Sequence, residues 1–115
     1  MSNQGAVAFA RISTPLVWLD EYGLLRDGSD WVALSIREWK LMTPLVEHFG
    51  AVVSYDALAA AAWQGEPGQG SLNVLIRRTR RRIAPLQLML FNVRGRGYML
   101  DYTFTHATNE ADVAG

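Results

Sequence analysis

The chain has 115 residues, no net charge and no Cys, and half of it is apolar, with four Trp. This suffices for one packed core and excludes a disordered chain, while the lack of Cys removes disulfides, thiolate metal sites and thiol chemistry. His48 and His106 lack ligand-like spacing, no apolar run nears the roughly 18 residues of a membrane span, and no signal peptide opens the chain, so the expectation is a cytoplasmic protein with no metal, no cofactor and no membrane contact.

Residues 1–13 and 103–115, rich in Ala, Ser, Thr and Asn, read as flexible tails around a single domain over 14–102. From Leu16 to Leu34 short apolar runs alternate with polar turns, clearest at Asp27-Gly28-Ser29-Asp30, which predicts a small antiparallel sheet. Trp18 and Trp31 are expected to pack in the core or against that sheet, with exposure on the surface for a partner as the lesser alternative. Ser35-Ile36-Arg37-Glu38 is a capping box that opens a helix, with Trp39, Met42, Leu45 or Val46, and Phe49 at helical spacing before Gly50 stops it. Pro44 removes one backbone bond mid-helix and predicts a kink. His48, late in this helix, reads as a partner of the helix dipole. Ser54 caps a second, Ala-rich helix from Tyr55 to Trp63, and both Trp39 and Trp63 read as core. Residues 64–70 form a loop. A third helix spans about Ser71 to Ile83, with Leu72, Ile76, Thr79 and Ile83 facing inward, and Pro85 limits its continuation. Leu88 to Val93 and Tyr98 to Tyr102 read as strands around the turn Arg94-Gly95-Arg96-Gly97, where Gly accommodates positive φ.

The neutral total hides an asymmetry. Between residues 67 and 100 stand Arg77, Arg78, Arg80, Arg81, Arg82, Arg94 and Arg96 with no acid, while every Asp and Glu lies in the flanks. Turning the third helix by 100° per residue separates the inward side from Asn73, Val74, Arg77, Arg78 and Arg81. Guanidinium forks suit phosphates and guanine edges, and Asn suits adenine. A solvated charged face is the plain alternative. Yet like charges at this density repel, with no acid nearby in sequence, and an external polyanion relieves them. A basic helix after a shorter one is the helix-turn-helix arrangement, with the second helix in the major groove. The Gly-rich stretch 65–70 lacks the Gly-Lys-Ser/Thr ending of a phosphate loop. No nucleophile–base pair, carboxylate pair or metal cluster stands out, so the expectation is no enzyme.

Four segments in order resemble the OmpR/PhoB-type winged-helix effector domains of bacterial response regulators. They are Leu34-Ser35-Ile36-Arg37-Glu38-Trp39-Lys40-Leu41-Met42; Gly50 to Ser54 with Leu58 and Trp63; Asn73-Val74-Leu75-Ile76-Arg77-Arg78-Thr79-Arg80-Arg81; and Val93-Arg94-Gly95-Arg96-Gly97-Tyr98. The resemblance implies an α+β winged helix-turn-helix, built from an N-terminal antiparallel sheet, three helices and a C-terminal β-hairpin wing. It implies a sequence-specific regulator of transcription on double-stranded DNA, nucleoid-associated, with the third helix in the major groove and the wing on the minor groove or backbone. The positions matching family DNA contacts are Asn73, Val74, Arg77, Arg78, Arg81 and Arg96; Arg94 pairs either with DNA or with an acid of the fold. The loop with Glu66 and Pro67 matches a place where the family can touch RNA polymerase, with a plain connector as the alternative. The alternative is a winged-helix module that docks on RNA polymerase or another regulator. In the family, the place of Gly70 often carries a phosphate-contacting Arg, that of Thr79 a core Leu, and that of Met99 a basic residue; Pro44 is also atypical. One such module covers few base pairs, so a homodimer formed mainly on DNA is expected, through the sheet around Trp18 to Trp31 or a neighbour's loop. No receiver domain accompanies these motifs. A complete short regulator and an excised effector domain both stay open, with the initial Met and the tails favouring the first.

Overall fold

The computed structural model describes residues 16–64 and 70–104. Strands β1 (Val17–Leu19), β2 (Leu24–Asp27) and β3 (Asp30–Ala33) make an antiparallel sheet in that order. Asp20 shapes the first turn. Its Oδ1 accepts from the amides of Tyr22 and Leu24 at 2.8 and 3.0 Å, and its Oδ2 from Arg26 Nε at 2.7 Å. Burial alone would raise its pKa, but the bonds from Arg26, Leu24 and Tyr22 outweigh it and hold the carboxyl below the ordinary 3.8.

One face of this sheet is buried and the other is open. Leu25, paired with Leu19 and Val32, points inward beside Val17. The register Trp18↔Arg26↔Trp31 sets three long side chains in a row on the opposite face, where the two Trp are 44% and 55% exposed. The first expectation for Trp18 and Trp31, packing in the core or against the sheet, is therefore corrected, and the alternative of an exposed position is the one observed. A strand alternates its side chains between two faces, and the smaller Val and Leu residues take the inner one.

Helix α1 (Ile36–Glu47) starts at the expected capping box: Ser35 Oγ accepts from Glu38 N at 3.2 Å, and Glu38 Oε1 accepts from Ser35 N at 2.8 Å. Its buried residues are Glu38, Leu41, Met42 and Leu45. Trp39 lies 100° from Glu38 around the helix and is 37% exposed, which corrects its reading as a core residue. The helix runs through Pro44 without a break, and His48 is its C-cap. Strand β4 (Val52–Ser54) has no counterpart in the sequence reading. It leads into α2 (Tyr55–Trp63), where Ser54 Oγ accepts from Ala57 N at 3.1 Å and Leu58, Ala62 and Trp63 are buried, Trp63 as expected.

Helix α3 (Leu72–Ile83) passes through a 3₁₀ turn, Ala84–Leu86, into β5 (Leu88–Val93) and β6 (Gly97–Tyr102). The second sheet is antiparallel in the order β4-β6-β5. This is the expected α+β arrangement of sheet, three helices and hairpin. Between the two sheets, Leu41, Leu45, Leu58, Ile76, Ile83 and Leu100 are fully or almost fully buried, each stabilising the fold by roughly 1.5–3 kcal/mol. Tyr102, at the end of β6, ties the second sheet to the first, donating from its hydroxyl to Asp27 Oδ1 of β2 at 3.0 Å. Burial and that carboxylate push its pKa up to about 12, so the phenol stays protonated as a donor.

Thr79 is fully buried on α3, and its hydroxyl donates to Leu75 O, one turn back, at 2.8 Å. The polar side chain that stands where the family carries a core Leu is thus hydrogen-bonded. The Leu75 carbonyl is also the acceptor of the helical N–H bond from Thr79, so removing the hydroxyl orphans nothing. Thr79→Val, of equal shape, is expected to raise the melting temperature by a few degrees, about 0.5–1 kcal/mol, whereas Thr79→Leu gains little because extra volume strains a packed site. A fall in melting temperature for the Val variant in a thermal melt would show the hydroxyl itself to be stabilising.

Candidate nucleic-acid interface

Ser71 fixes where α3 begins, its Oγ accepting from Val74 N at 3.2 Å. Leu75, Ile76, Thr79 and Ile83 turn into the core, Leu72 is half-buried, and Asn73, Val74, Arg77, Arg78 and Arg81 are exposed. The separation of the two sides is the expected one, with Leu75 added to the inner set.

The five arginines of α3 do two different jobs. Arg80 is half-buried and donates from Nε and Nη2 to Leu90 O, at 2.9 and 2.7 Å, with its guanidinium 5.7 Å from the Tyr98 ring centre. Arg82 Nε lies 3.3 Å from Oε1 of Glu38, a carboxylate wholly buried at the start of α1, while Glu38 Oε2 has no hydrogen-bond partner among the described residues. The acid that looked absent near the helix comes from another element. Arg77, Arg78 and Arg81 make no ion pair and no side-chain hydrogen bond among the described residues.

The wing is the β5–β6 hairpin. Val93 pairs with Gly97, and Arg94, Gly95 and Arg96 make the exposed turn, closed by Arg96 N donating to Val93 O at 2.9 Å. Gly95 has φ 78°, which suits Gly. Arg94 pairs with no acid among the described residues, so its cation stands with that of Arg96. Tyr98, at the base of the wing, is buried against Tyr55 of α2, with ring centres 5.6 Å apart and edge to face. Its hydroxyl reaches Asn73 Oδ1 at 3.5 Å, a long contact that sets the wing beside the first turn of α3. The structure therefore brings Asn73 and the wing together, with Arg77, Arg78 and Arg81 following along the exposed side of the same helix.

Two features escaped the sequence reading. Arg37 donates to the Ala62 carbonyl at the end of α2 and lies 5.6 Å over the Trp63 ring. A Cβ on Gly70 would stand 3.2 Å from Trp63 Cζ2, so a side chain there has to displace the indole slightly. Glu66 and Pro67, read as a polymerase contact, lie outside the described residues.

The sheet, helix-turn-helix and hairpin define a winged-helix domain. Residues 28–100 match the family described as transcriptional regulatory protein, C terminal, and the chain belongs to this family, the OmpR/PhoB type of winged helix. It is similar to the C-terminal domain of the nisin resistance regulator NsrR, a lantibiotic response regulator, at 32% identity over 76% of this chain and 92% of that one, with a TM-score of 0.62. The fold is shared with the DNA-binding domain of the response regulator AdeR in complex with an intercistronic region, at 17% identity over 76% and 96% of the two chains and a TM-score of 0.63. It is shared too with the Klebsiella pneumoniae RstA DNA-binding domain in complex with the RstA box, at 24% identity over 75% and 91% and a TM-score of 0.58. Comparison with curated protein sequences finds no match. No helix among the described residues is long and apolar enough to cross a membrane.

Proposed function

We propose that this protein is a sequence-specific, non-catalytic regulator of transcription that binds double-stranded DNA, with α3 in the major groove and the wing on the minor groove or backbone. The observation that carries the reading is the division of the α3 arginines. Arg80 and Arg82 are used inside the fold, while Arg77, Arg78 and Arg81 remain exposed without partners among the described residues, on a helix whose first turn adjoins a wing bearing Arg94 and Arg96. A helix of 12 residues is about 18 Å long and fits the major groove, roughly 12 Å wide. In this reading Arg77, Arg78, Arg81 and Asn73 meet base edges and flanking phosphates, Val74 meets a thymine methyl, and Arg96 meets the backbone. The DNA complexes of AdeR and RstA support it by fold alone. Selection from a random duplex pool, followed by a mobility-shift assay, tests it. A recurring motif that shifts over scrambled DNA is the expected result; a shift only after RNA polymerase is added would replace the reading by that of a polymerase-docking module.

Two partner assignments go with this function. The open row Trp18, Arg26 and Trp31 is the face through which a second copy joins on DNA, because one recognition helix and one wing rarely discriminate a target against a genome. Sedimentation of the free protein should give a monomer, and footprinting on selected DNA should give two protected half-sites about one helical turn apart. A stable dimer without DNA, or a tight footprint of one half-site, is incompatible with this. In the same reading the segment carrying Glu66 and Pro67 contacts RNA polymerase. Glu66→Gly with Pro67→Ser should then leave the mobility shift intact and lower transcription in vitro; equal transcription would remove this segment from that contact.

A further inference from the structure

Arg80 sits among cations on the most basic element of the chain, yet its geometry faces the protein. Both Nε and Nη2 converge on the Leu90 carbonyl, which lies on β5, an edge strand of the second sheet. The same guanidinium approaches the ring of Tyr98, on the neighbouring strand β6, at 5.7 Å. One side chain of α3 thus grips both strands of the wing hairpin. Tyr98 carries the contact onward. It packs edge-on against Tyr55 of α2 and places its hydroxyl 3.5 Å from Asn73 Oδ1, at the opposite end of α3 from Arg80. Tyr55 in turn donates to Asn92 Oδ1 on β5 at 2.7 Å.

We infer that Arg80 and Tyr98 are positioning residues that lock the wing to α3, so that the wing and the exposed face of the helix engage DNA as one rigid surface. The inference rests on the proposed function and adds to it a division of labour among arginines that are adjacent in sequence. Discrimination between DNA sequences requires the wing and the helix to reach their contacts simultaneously, without a further ordering step on binding. Attraction to any polyanion requires only charge. A loosened wing therefore weakens binding to the selected site and spares binding to random DNA.

Arg80→Lys tests this, because it keeps the charge but removes the two-donor fork and its planar contact with Tyr98. Binding to the selected duplex should fall tenfold or more, with unchanged affinity for a scrambled duplex and an unchanged salt slope. Amide hydrogen exchange at Arg96 and along β5–β6 should quicken at least tenfold, while α1 keeps its protection. Tyr98→Phe, which preserves the ring, should move the same readouts in the same direction by a smaller factor. Arg80→Gln separates the other possibility. If selected and scrambled DNA lose affinity together and the salt slope falls by about one, Arg80 is a phosphate contact and the inference is wrong. Unchanged exchange and unchanged discrimination in both Arg80→Lys and Tyr98→Phe overturn it equally. A wild-type protein that discriminates no DNA sequence overturns the proposed function instead, and the exchange rates of the wing still decide whether the lock exists.

Discussion

Gly97→Ala is expected to abolish the native fold or to lower the melting temperature by at least about 15 °C, corresponding to a loss above roughly 4 kcal/mol. A Cβ at this position would lie 1.9 Å from Val53 O, 2.7 Å from Val53 C and 2.8 Å from Ser54 Cα. All three are backbone atoms of β4, so no rotamer change relieves the overlap. The register Ser54↔Gly97 and Val53↔Tyr98 shows why the approach is so close: β4 and β6 pair at this point. Moving β4 away also moves Ser54, whose hydroxyl caps α2, and disturbs the Tyr98 contacts beside it. Gly95→Ala is the control. Its site has φ 78° but nothing within 4 Å, so only the left-handed backbone penalty of roughly 1–2 kcal/mol applies. Thermal melts by circular dichroism compare the two. If Gly97→Ala melts within a few degrees of wild type, the close pairing of β4 and β6 is not present in solution.

The parts of this fold that were legible in the sequence are those set by neighbours in the chain. Ser35 and Glu38, three residues apart, announce the start of α1, and Ser71 and the 3.6-residue period place α3 and its two sides. The parts that were not legible depend on what packs against what. Glu38 serves its own helix cap and also meets Arg82, far along the chain, and no local pattern encodes that second role. Strand β4 is only three residues long, and its pairing partner β6 lies far downstream. Trp63 lies in the core as its helical face implies, whereas Trp18, Trp31 and Trp39 do not, because local periodicity does not decide which of two apolar faces is covered. In β1 and β3 the alternation gives either the Trp or its aliphatic neighbours to the core, and only tertiary packing chooses between them. In α1 the inner stripe runs through Leu41, Met42 and Leu45, leaving Trp39 at its margin. For the interface, the sequence separated Asn73, Val74, Arg77, Arg78 and Arg81 from the core side correctly. It did not reveal that Arg80 and Arg82 are held by a carbonyl and a buried carboxylate, since both acceptors come from other elements.

Arg77→Ala and Arg81→Ala are each expected to lower affinity for the selected DNA site by roughly 10- to 100-fold, while affecting scrambled DNA much less. A well-placed contact between Arg and a base edge is worth about 1–3 kcal/mol of discrimination, and the loss falls only where the matching base is present. Neither residue holds the fold through a side-chain bond among the described residues, so the melting temperature should stay near wild type. That separates them from Arg82, whose removal would leave the buried Glu38 carboxylate without its cation and cost stability first. Arg96→Ala on the wing provides the contrast. A backbone contact carries no sequence information, so its loss should weaken both duplexes alike and make the salt dependence shallower by about 0.9, the contribution of one neutralised phosphate. Equilibrium titrations of each variant against selected and scrambled duplexes, at several salt concentrations, measure both quantities together. If Arg77→Ala and Arg81→Ala weaken the two duplexes equally and flatten the salt dependence as Arg96→Ala does, then α3 lies along the phosphates and does not read the groove, and specificity must come from DNA shape or from a partner.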